Sequence, residues 1–514
     1  MNDQPRQRII VDAVAFGQIF QFHRILKSIT QAMQPTRLVV ALLMVLTLVA
    51  VGNLWDRWFE GEGVFPPQGI LVDLPLTSDI EADAVLRPIA EKSESVKILY
   101  DRPTGVELEN WSLPARLDPR KVREGIELDF KFKYRNGAES GLAKEILDGW
   151  TLDFRRDLLA IDSIMPRRAY EATVEQVARS VGQIVWGVYT LSPVTIYGAF
   201  NDMIVRMPVK LWRQRPWFVV VYGFLTLLVL SVGGGAICRM SACETAGQER
   251  LRVSDAFDFA LSSWPRLLFA NLLPLLIAGG LALVLVVAGI VLFGIPYLDV
   301  LGGIGYGLNL LLGFLIAFVL LGTAGSFFLL LPAVATENCA PIDALQRAIA
   351  YLIGRPLHLL GYAITAIVGM SLGYWVVSLV AVTALNVTGG ATGMFTSNTA
   401  VTITGGYGLF WLKQAPGAPH MYWHSEWAAF FVAAWQGVIV LLVASYVVSY
   451  AFSSITTIYL LMRKAVDDQD ISEIWRPGLI PGTLAPEPTS SSTGAPGETE
   501  AATNSKAASS SGEG

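Results

Sequence analysis

Six long apolar runs punctuate the chain, at residues 38–54, 217–237, 267–293, 303–331, 357–385 and 428–460. About 20 apolar residues suffice to cross the hydrocarbon core of a bilayer, so each run predicts a membrane-spanning helix. The last four are long enough to tilt or to project beyond the lipid. Ahead of runs one, three and five lies a shorter amphipathic stretch and a proline. Ile19, Phe22, Leu26, Ile29 and Met33 recur at helical spacing before Pro35. Ser254, a candidate N-cap, opens a stretch with Phe257, Leu261 and Trp264 on one face before Pro265. Ile342, Leu345, Ile349 and Leu352 fall between Pro341 and Pro356. The helical period and the start and stop residues predict one unit three times over: a surface helix followed by a hairpin of two spans. The expected fold class is an all-α polytopic membrane helix bundle with a three-fold hairpin repeat.

A polar segment interrupts the first hairpin. Over residues 56–180, Ile126, Leu128, Phe130, Phe132 and Tyr134 alternate with Glu127, Asp129, Lys131, Lys133 and Arg135, the pattern of a strand buried on one face. Asn136-Gly137 then reads as a turn. Residues 69–76 and 96–100 are further strand candidates; 78–86, 142–147 and 170–181 read as helices. A small inserted α+β domain follows, long enough to bury its own core. Residues 181–200 are also moderately apolar, but Gln183, Thr190, Ser192, Pro193 and Thr195 weaken them as a seventh span. The stretch 181–216 is therefore read as an amphipathic elbow on the membrane surface. Spans two to six occupy 217–461. From 462 a tail begins, rich in Ser, Thr, Gly, Ala, Pro and Glu from about Pro477 and expected to be disordered from there.

Basic residues orient the bundle. Arg6, Arg8, Arg24, Lys27 and Arg37 precede span one within the segment 1–37; Arg239, Arg250, Arg252 and Arg266 separate spans two and three; Arg347 and Arg355 separate four and five; Arg463 and Lys464 follow span six. With six spans, all lie on one side. Residues 294–302 and 386–427, on the other side, hold only Lys413. Trp55, Trp58, Trp212, Trp217, Trp423 and Trp427 mark the opposite boundary. The positive-inside rule puts both termini in the cytoplasm and the insert outside, in a cell inner membrane. Arg206, Lys210, Arg213 and Arg215, just before span two, run against the rule.

The chain of 514 residues is 53% hydrophobic and 16% charged, with mean hydropathy +0.48 and net charge -5. An acidic balance argues against nucleic acid as a partner, since phosphate binding needs clustered Lys and Arg. Cys238, Cys243 and Cys339 all lie outside the insert and form no CxxC, so no disulfide framework is expected. The apolar runs contain no Asp, Glu, Lys or Arg, which removes the usual means of proton relay, voltage sensing and much ion coupling. Asn53, Asn271, Asn309 and Gln436 remain and suit interhelical hydrogen bonds. Ser445, Ser449, Ser453 and Thr457 step by four along span six, either as a packing seam or as a polar lining for a headgroup or solute. Gly303/Gly307 and Gly369/Gly373 are small-xxx-small packing pairs. His420 and His424 with Glu426 could share a metal on a helix, but no third strong ligand accompanies them. The glycine-rich stretches 302–307 and 389–408 lack a phosphate-loop lysine. No catalytic residue and no cofactor is expected.

The segment LPAVATENCAPIDALQRAIAYLIGRP, with Pro332, Val334, Glu337, Ala344, Leu345 and Arg347, resembles the junction pattern of bacterial multi-span proteins related to the membrane domain of some glycerophosphodiester phosphodiesterases. The resemblance extends over about Cys238 to Lys464. It implies a six-helix membrane module without catalysis, because the phosphodiesterase catalytic domain has no counterpart here and the insert is extra. The expected role is that of a non-enzymatic envelope module whose partners are membrane lipids or another envelope protein. A permease for a lipid-like or neutral solute, and an enzyme acting in the insert or at the outer face, are the alternatives.

Overall fold

Each of the three predicted units begins with a helix too short and too polar to span. In the computed structural model these are α1 (Phe22–Ala32), α11 (Val253–Ser262) and α14 (Pro341–Gly354). The structure describes residues 22–59, 65, 70–71, 78–100, 113–114, 117–247, 250–294, 297–393 and 423–482. Among the described residues six helices are long and apolar enough to cross a membrane, so the protein is a multi-pass membrane bundle. They are α2 (Pro35–Trp58), α10 (Pro216–Thr245), α12 (Trp264–Gly294), α13 (Leu298–Glu337), α15 (Pro356–Gly393) and α16 (Trp423–Asp467). At 1.5 Å per residue, the 40 residues of α13 extend about 60 Å, twice the hydrocarbon thickness of about 30 Å.

The units close into a ring. The hairpins are α2 with α10, α12 with α13, and α15 with α16, and the second members α10, α13 and α16 all touch one another. Each surface helix packs on both spans of the preceding hairpin: α11 on α2 and α10, α14 on α12 and α13, and α1 on α15 and α16. The first helix of the described chain thus caps the last hairpin. The register repeats too: the third residues of α2, α12 and α15 are Arg37, Arg266 and His358. Arg37 donates to Glu244 and Arg266 to Asn338, each near the end of its own hairpin's second span.

Three consecutive glycines in α10 make the convergence geometrically feasible. A Cβ on Gly233 would meet Met44 of α2; on Gly234, the Phe452 ring of α16 and Leu331 of α13; on Gly235, Leu267 of α12. One turn of helix thereby receives side chains from four neighbours, the close approach that small residues permit in membranes. The distal part of the second hairpin behaves differently. Leu283, Ile290, Leu308, Leu311, Phe314 and Phe318 are exposed on the protein surface, and α12 is the most apolar but least buried of the six spans.

The insert is helical in the described residues. It comprises α3 (Ser78–Lys92), α4 (Glu94–Leu99), α5 (Pro119–Glu139), α6 (Lys144–Ile164) and the first part of α7 (Ala169–Tyr189). Leu86, Val96, Ile126, Phe130, Phe154 and Leu158 build its separate core. The expectation of an α+β domain is corrected: residues 126–134 lie within α5 and 96–99 within α4. A period-two alternation over nine residues contains an i, i+4, i+8 subset, and that subset is what folds inward. Ile126 and Phe130 are buried and Tyr134 packs beside them, whereas Leu128 and Phe132 are exposed. The charges between them sit at helical spacing, Arg123 with Glu127 and Arg135 with Glu139, a signal that favours helix. Asn136-Gly137 is inside α5 as well; a Cβ on Gly137 would strike the Trp150 ring of α6, so the glycine serves helix contact, and the chain turns at Gly141, where φ is +71°. Most of the strand candidate 69–76 lies outside the described residues.

Residues 181–200 are not one helix. Helix α7 stops at Tyr189, Leu191 takes a positive φ of 51°, and the chain restarts as α8 (Pro193–Asn201), a π-helical turn Asp202–Arg206, and α9 (Met207–Gln214). Leu191, Val194, Tyr197, Ile204 and Trp212 along this elbow are exposed.

Candidate functional site

The insert joins the bundle through one buried carboxylate. Helix α7 begins without a capping side chain, its N-cap position being Arg168. Asp56, in the last turn of α2, supplies what is missing: its Oδ1 accepts from the Tyr170 N–H at 3.0 Å and its Oδ2 from the Glu171 N–H at 3.1 Å. Orphan N–H groups of a helix start are thus satisfied from a residue 114 positions away. Arg168 donates back to the Asp56 carbonyl at 3.1 Å. Tyr170 lies against Gly52, where a Cβ would enter its ring, and burial pushes its hydroxyl pKa upward. Beside it, buried Arg167 pairs with Glu171 at 2.5 Å, Glu175 at 3.5 Å and Asp162 at 3.6 Å. Burial draws the Arg167 pKa down, but these carboxylates outweigh it and the net direction is upward. Phe65 and Arg167 exchange backbone hydrogen bonds. Helices α2, α6 and α7 are therefore tied at one junction.

Among the described residues, cavities open around the junction. One of about 620 Å³ is lined by Asn53, Asp56, Arg57, Arg168 and Glu171. A second, of about 560 Å³, shares Arg168 and Glu171 and adds Arg120, Arg123, Glu127 and Asp162. Their chemistry is ionic, with both signs interleaved. A third, of about 680 Å³, lies between the ends of α2 and α10 and is aromatic, with Trp55, Trp58, Phe59, Trp217, Phe218 and Tyr222 in its walls.

At the opposite end of the bundle, the helices carry charge past their apolar stretches into a closed network. Glu337 of α13 accepts from Tyr459 Oη at 2.7 Å and from Arg347, and lies 3.5 Å from Arg463. Arg463, 1% exposed, also donates to the carbonyls of Asp470 and Glu473. Arg239 donates to the carbonyls of Ala335 and Trp475, and its guanidinium lies 5.0 Å from the Phe259 ring and 5.5 Å from Trp475. The segment 468–482 straps across this end, with Trp475 N–H on Thr336 O and Gly482 N–H on Glu337 O. The tail expected to be disordered from about Pro477 is thus hydrogen-bonded as far as Gly482; residues 483–514 lie outside the described residues.

The serine stripe of α16 is wholly buried and faces α1 in part. Ser449 Oγ donates to Ala32 O at 3.0 Å, and Thr457 Oγ1 lies 3.2 Å from Ser28 Oγ. Ser445 bonds back to Leu441 O, while Ser453 O accepts from Ser241 Oγ. Gly369 and Gly373 admit the hydroxyl ends of Tyr450 and Tyr446, whereas Gly303 and Gly307 face open space. Asn271 donates to Ser231 Oγ, and Asn53 opens onto the first cavity. All three cysteines are buried; burial pushes the Cys339 thiol up to about 12. His424 is exposed on α16; His420 and the Glu426 side chain lie outside the described residues. Among the described residues no three His, Cys, Asp or Glu side chains converge as metal ligands. Sequence inspection missed the Asp56 junction. Its one local sign was an acid in the last turn of a span, where helix dipoles disfavour negative charge.

Comparison with protein-family models, with curated proteins and with solved structures finds no match to this chain.

Proposed function

We propose that the protein is a non-enzymatic envelope platform: a cell inner-membrane bundle that holds its helical insert at a fixed attitude on the extracytoplasmic face and contacts membrane lipid or a partner protein there. The observation that carries this reading is the Asp56 junction. A merely tethered domain needs no buried carboxylate capping its helix, no arginine ringed by three acids and no glycine cleared for a tyrosine. These devices favour a rigid mount, and a rigid mount has a use when the orientation of the mounted surface matters. The clustering of Lys and Arg in the segments joined by α1, α11 and α14 supports placing both termini in the cytoplasm. The same three helices, resting at headgroup level, support lipid contact on the inner face, and the exposed apolar elbow supports it on the outer one. The junction resemblance around Glu337 and Arg347 is compatible with such a module.

The test is a distance distribution between spin labels at Leu152 in the insert and Leu46 in α2, both exposed, measured in reconstituted bilayers. The platform reading expects one narrow peak that broadens in Asp56→Ala. A broad distribution in the unmodified protein would overturn it.

A further inference from the structure

We infer that the aromatic cavity between α2 and α10 is a binding site for one phospholipid molecule, with an acyl chain along its ring wall and the phosphate beside Arg215. The wall is built from Trp55, Trp58, Phe59, Trp217, Phe218 and Tyr222. Trp55 stacks on Phe59 at 4.6 Å and Phe218 on Tyr222 at 4.9 Å, with Trp55 edge-on to Phe218 at 5.7 Å. The rings brace one another, so the cavity is shaped before any ligand enters. Its volume of about 680 Å³ lies in the usual range for small-molecule sites, roughly 300–1,000 Å³. From Pro216 to Leu225, both in its lining, the helix rises about 14 Å, the reach of a substantial part of an acyl chain.

Two further observations point to a ligand with a polar head rather than to bulk hydrocarbon. Trp55 Nε1 and Gln214 Oε1 belong to lining residues, and both atoms are buried without a hydrogen-bond partner among the described residues. A buried donor or acceptor left alone is unfavourable; both atoms are closed to solvent as the cavity stands, so an ester or phosphate oxygen for the indole N–H, or a headgroup hydroxyl or ammonium for the amide oxygen, would meet them only after a small side-chain rotation. The cation sits at the same end: Arg215 lines the cavity beside Gln214, and Arg213 is exposed on the last turn of α9. Arginine suits phosphate because its fork matches two oxygens at once. The exposed elbow leading into Arg213 and Arg215 keeps this end at the headgroup boundary.

This inference deepens the lipid-contact part of the platform reading, and the spin-label test above does not depend on it. Full-length protein, stripped of lipid by detergent exchange, would be titrated with phosphatidylglycerol or with diacylglycerol of the same chains and weighed by native mass spectrometry. One retained phosphatidylglycerol per chain is expected, with at least tenfold weaker retention of diacylglycerol. Val221→Trp, which fills the cavity from an exposed lining position, should lower phosphatidylglycerol retention at least tenfold at unchanged melting temperature. Leu311→Trp, on the exposed distal part of α13, should leave it unchanged. Equal retention by Val221→Trp and the unmodified protein, or equal retention of the two lipids, would overturn the assignment.

Discussion

The two ends of the second hairpin are made of similar residues and meet opposite fates. Near the ring, Leu267, Leu329, Leu330 and Leu331 are buried to within a few percent. Further out, Leu283, Leu308, Leu311 and Phe314 of the same two helices are exposed. Hydrophobicity does not separate them, and among the six spans the most apolar is the least buried. Meanwhile residues 231–243 of α10, which include Ser231, Arg239 and Ser241, are nearly all buried. The difference teaches what drives assembly in lipid. Hydrocarbon tails are as apolar as leucine, so burial of leucine brings little; close approach over small residues and satisfied polar groups bring the helices together. The ring end has both, in Gly233 to Gly235 and in the network around Glu337.

The sharpest way to break the contrast is to remove Glu337. Its loss leaves Arg463 buried beside Tyr459 without its carboxylate, and breaking one side of a buried pair costs about 3–5 kcal/mol; Glu337→Ala should show that loss in detergent denaturation. Next comes Gly234→Val, which forces a side chain between Phe452 and Leu331. Overpacking typically costs about 1–3 kcal/mol, read as a lowered melting temperature of the whole protein. Asp56→Ala removes the cap of α7 at about 0.5–2 kcal/mol; faster proteolysis of the insert with an unchanged bundle is the expected readout. Asp157 in α6 gives a smaller effect of opposite sign. Burial pushes its carboxyl pKa above the ordinary 3.8, so the unfolded chain ionises first and the folded insert loses relative stability as pH rises from about 3.8 through the raised value. Asp157→Asn should therefore stabilise the insert at neutral pH, with the gain vanishing below that window in a pH series of thermal melts. Leu311→Ala, on the open part of the hairpin, should stay within about 0.5 kcal/mol of the parent.

What could be read from the chain follows the same division. Span positions, the three surface helices and the weakness of 181–200 as a seventh span depend on local pattern, and prolines at 35, 265 and 356 punctuate them. Residues 126–134 misled because their alternation satisfies two periods at once, and the ion pairs at four-residue spacing were the better guide. The polar end layer was visible only as flanking charge. Nothing local says that Arg463 turns inward to Glu337 or that Arg239 reaches Trp475 across 236 positions. The Asp56 junction was hidden for the same reason: a cap supplied from another helix leaves no signature beside the helix it caps. The repeat was legible as grammar, but its closure into a ring rests on contacts between the two ends of the chain.

That closure is tested most directly by one crosslink. In a background lacking the three native cysteines, Ser28→Cys and Thr457→Cys would place thiols where the two hydroxyl oxygens lie 3.2 Å apart. Mild oxidation in native membranes should join them, so that fragments from the two ends of the chain migrate together after proteolysis and separate on reduction. Fragments that never join, under conditions where both thiols are shown to be oxidisable, would contradict the ring.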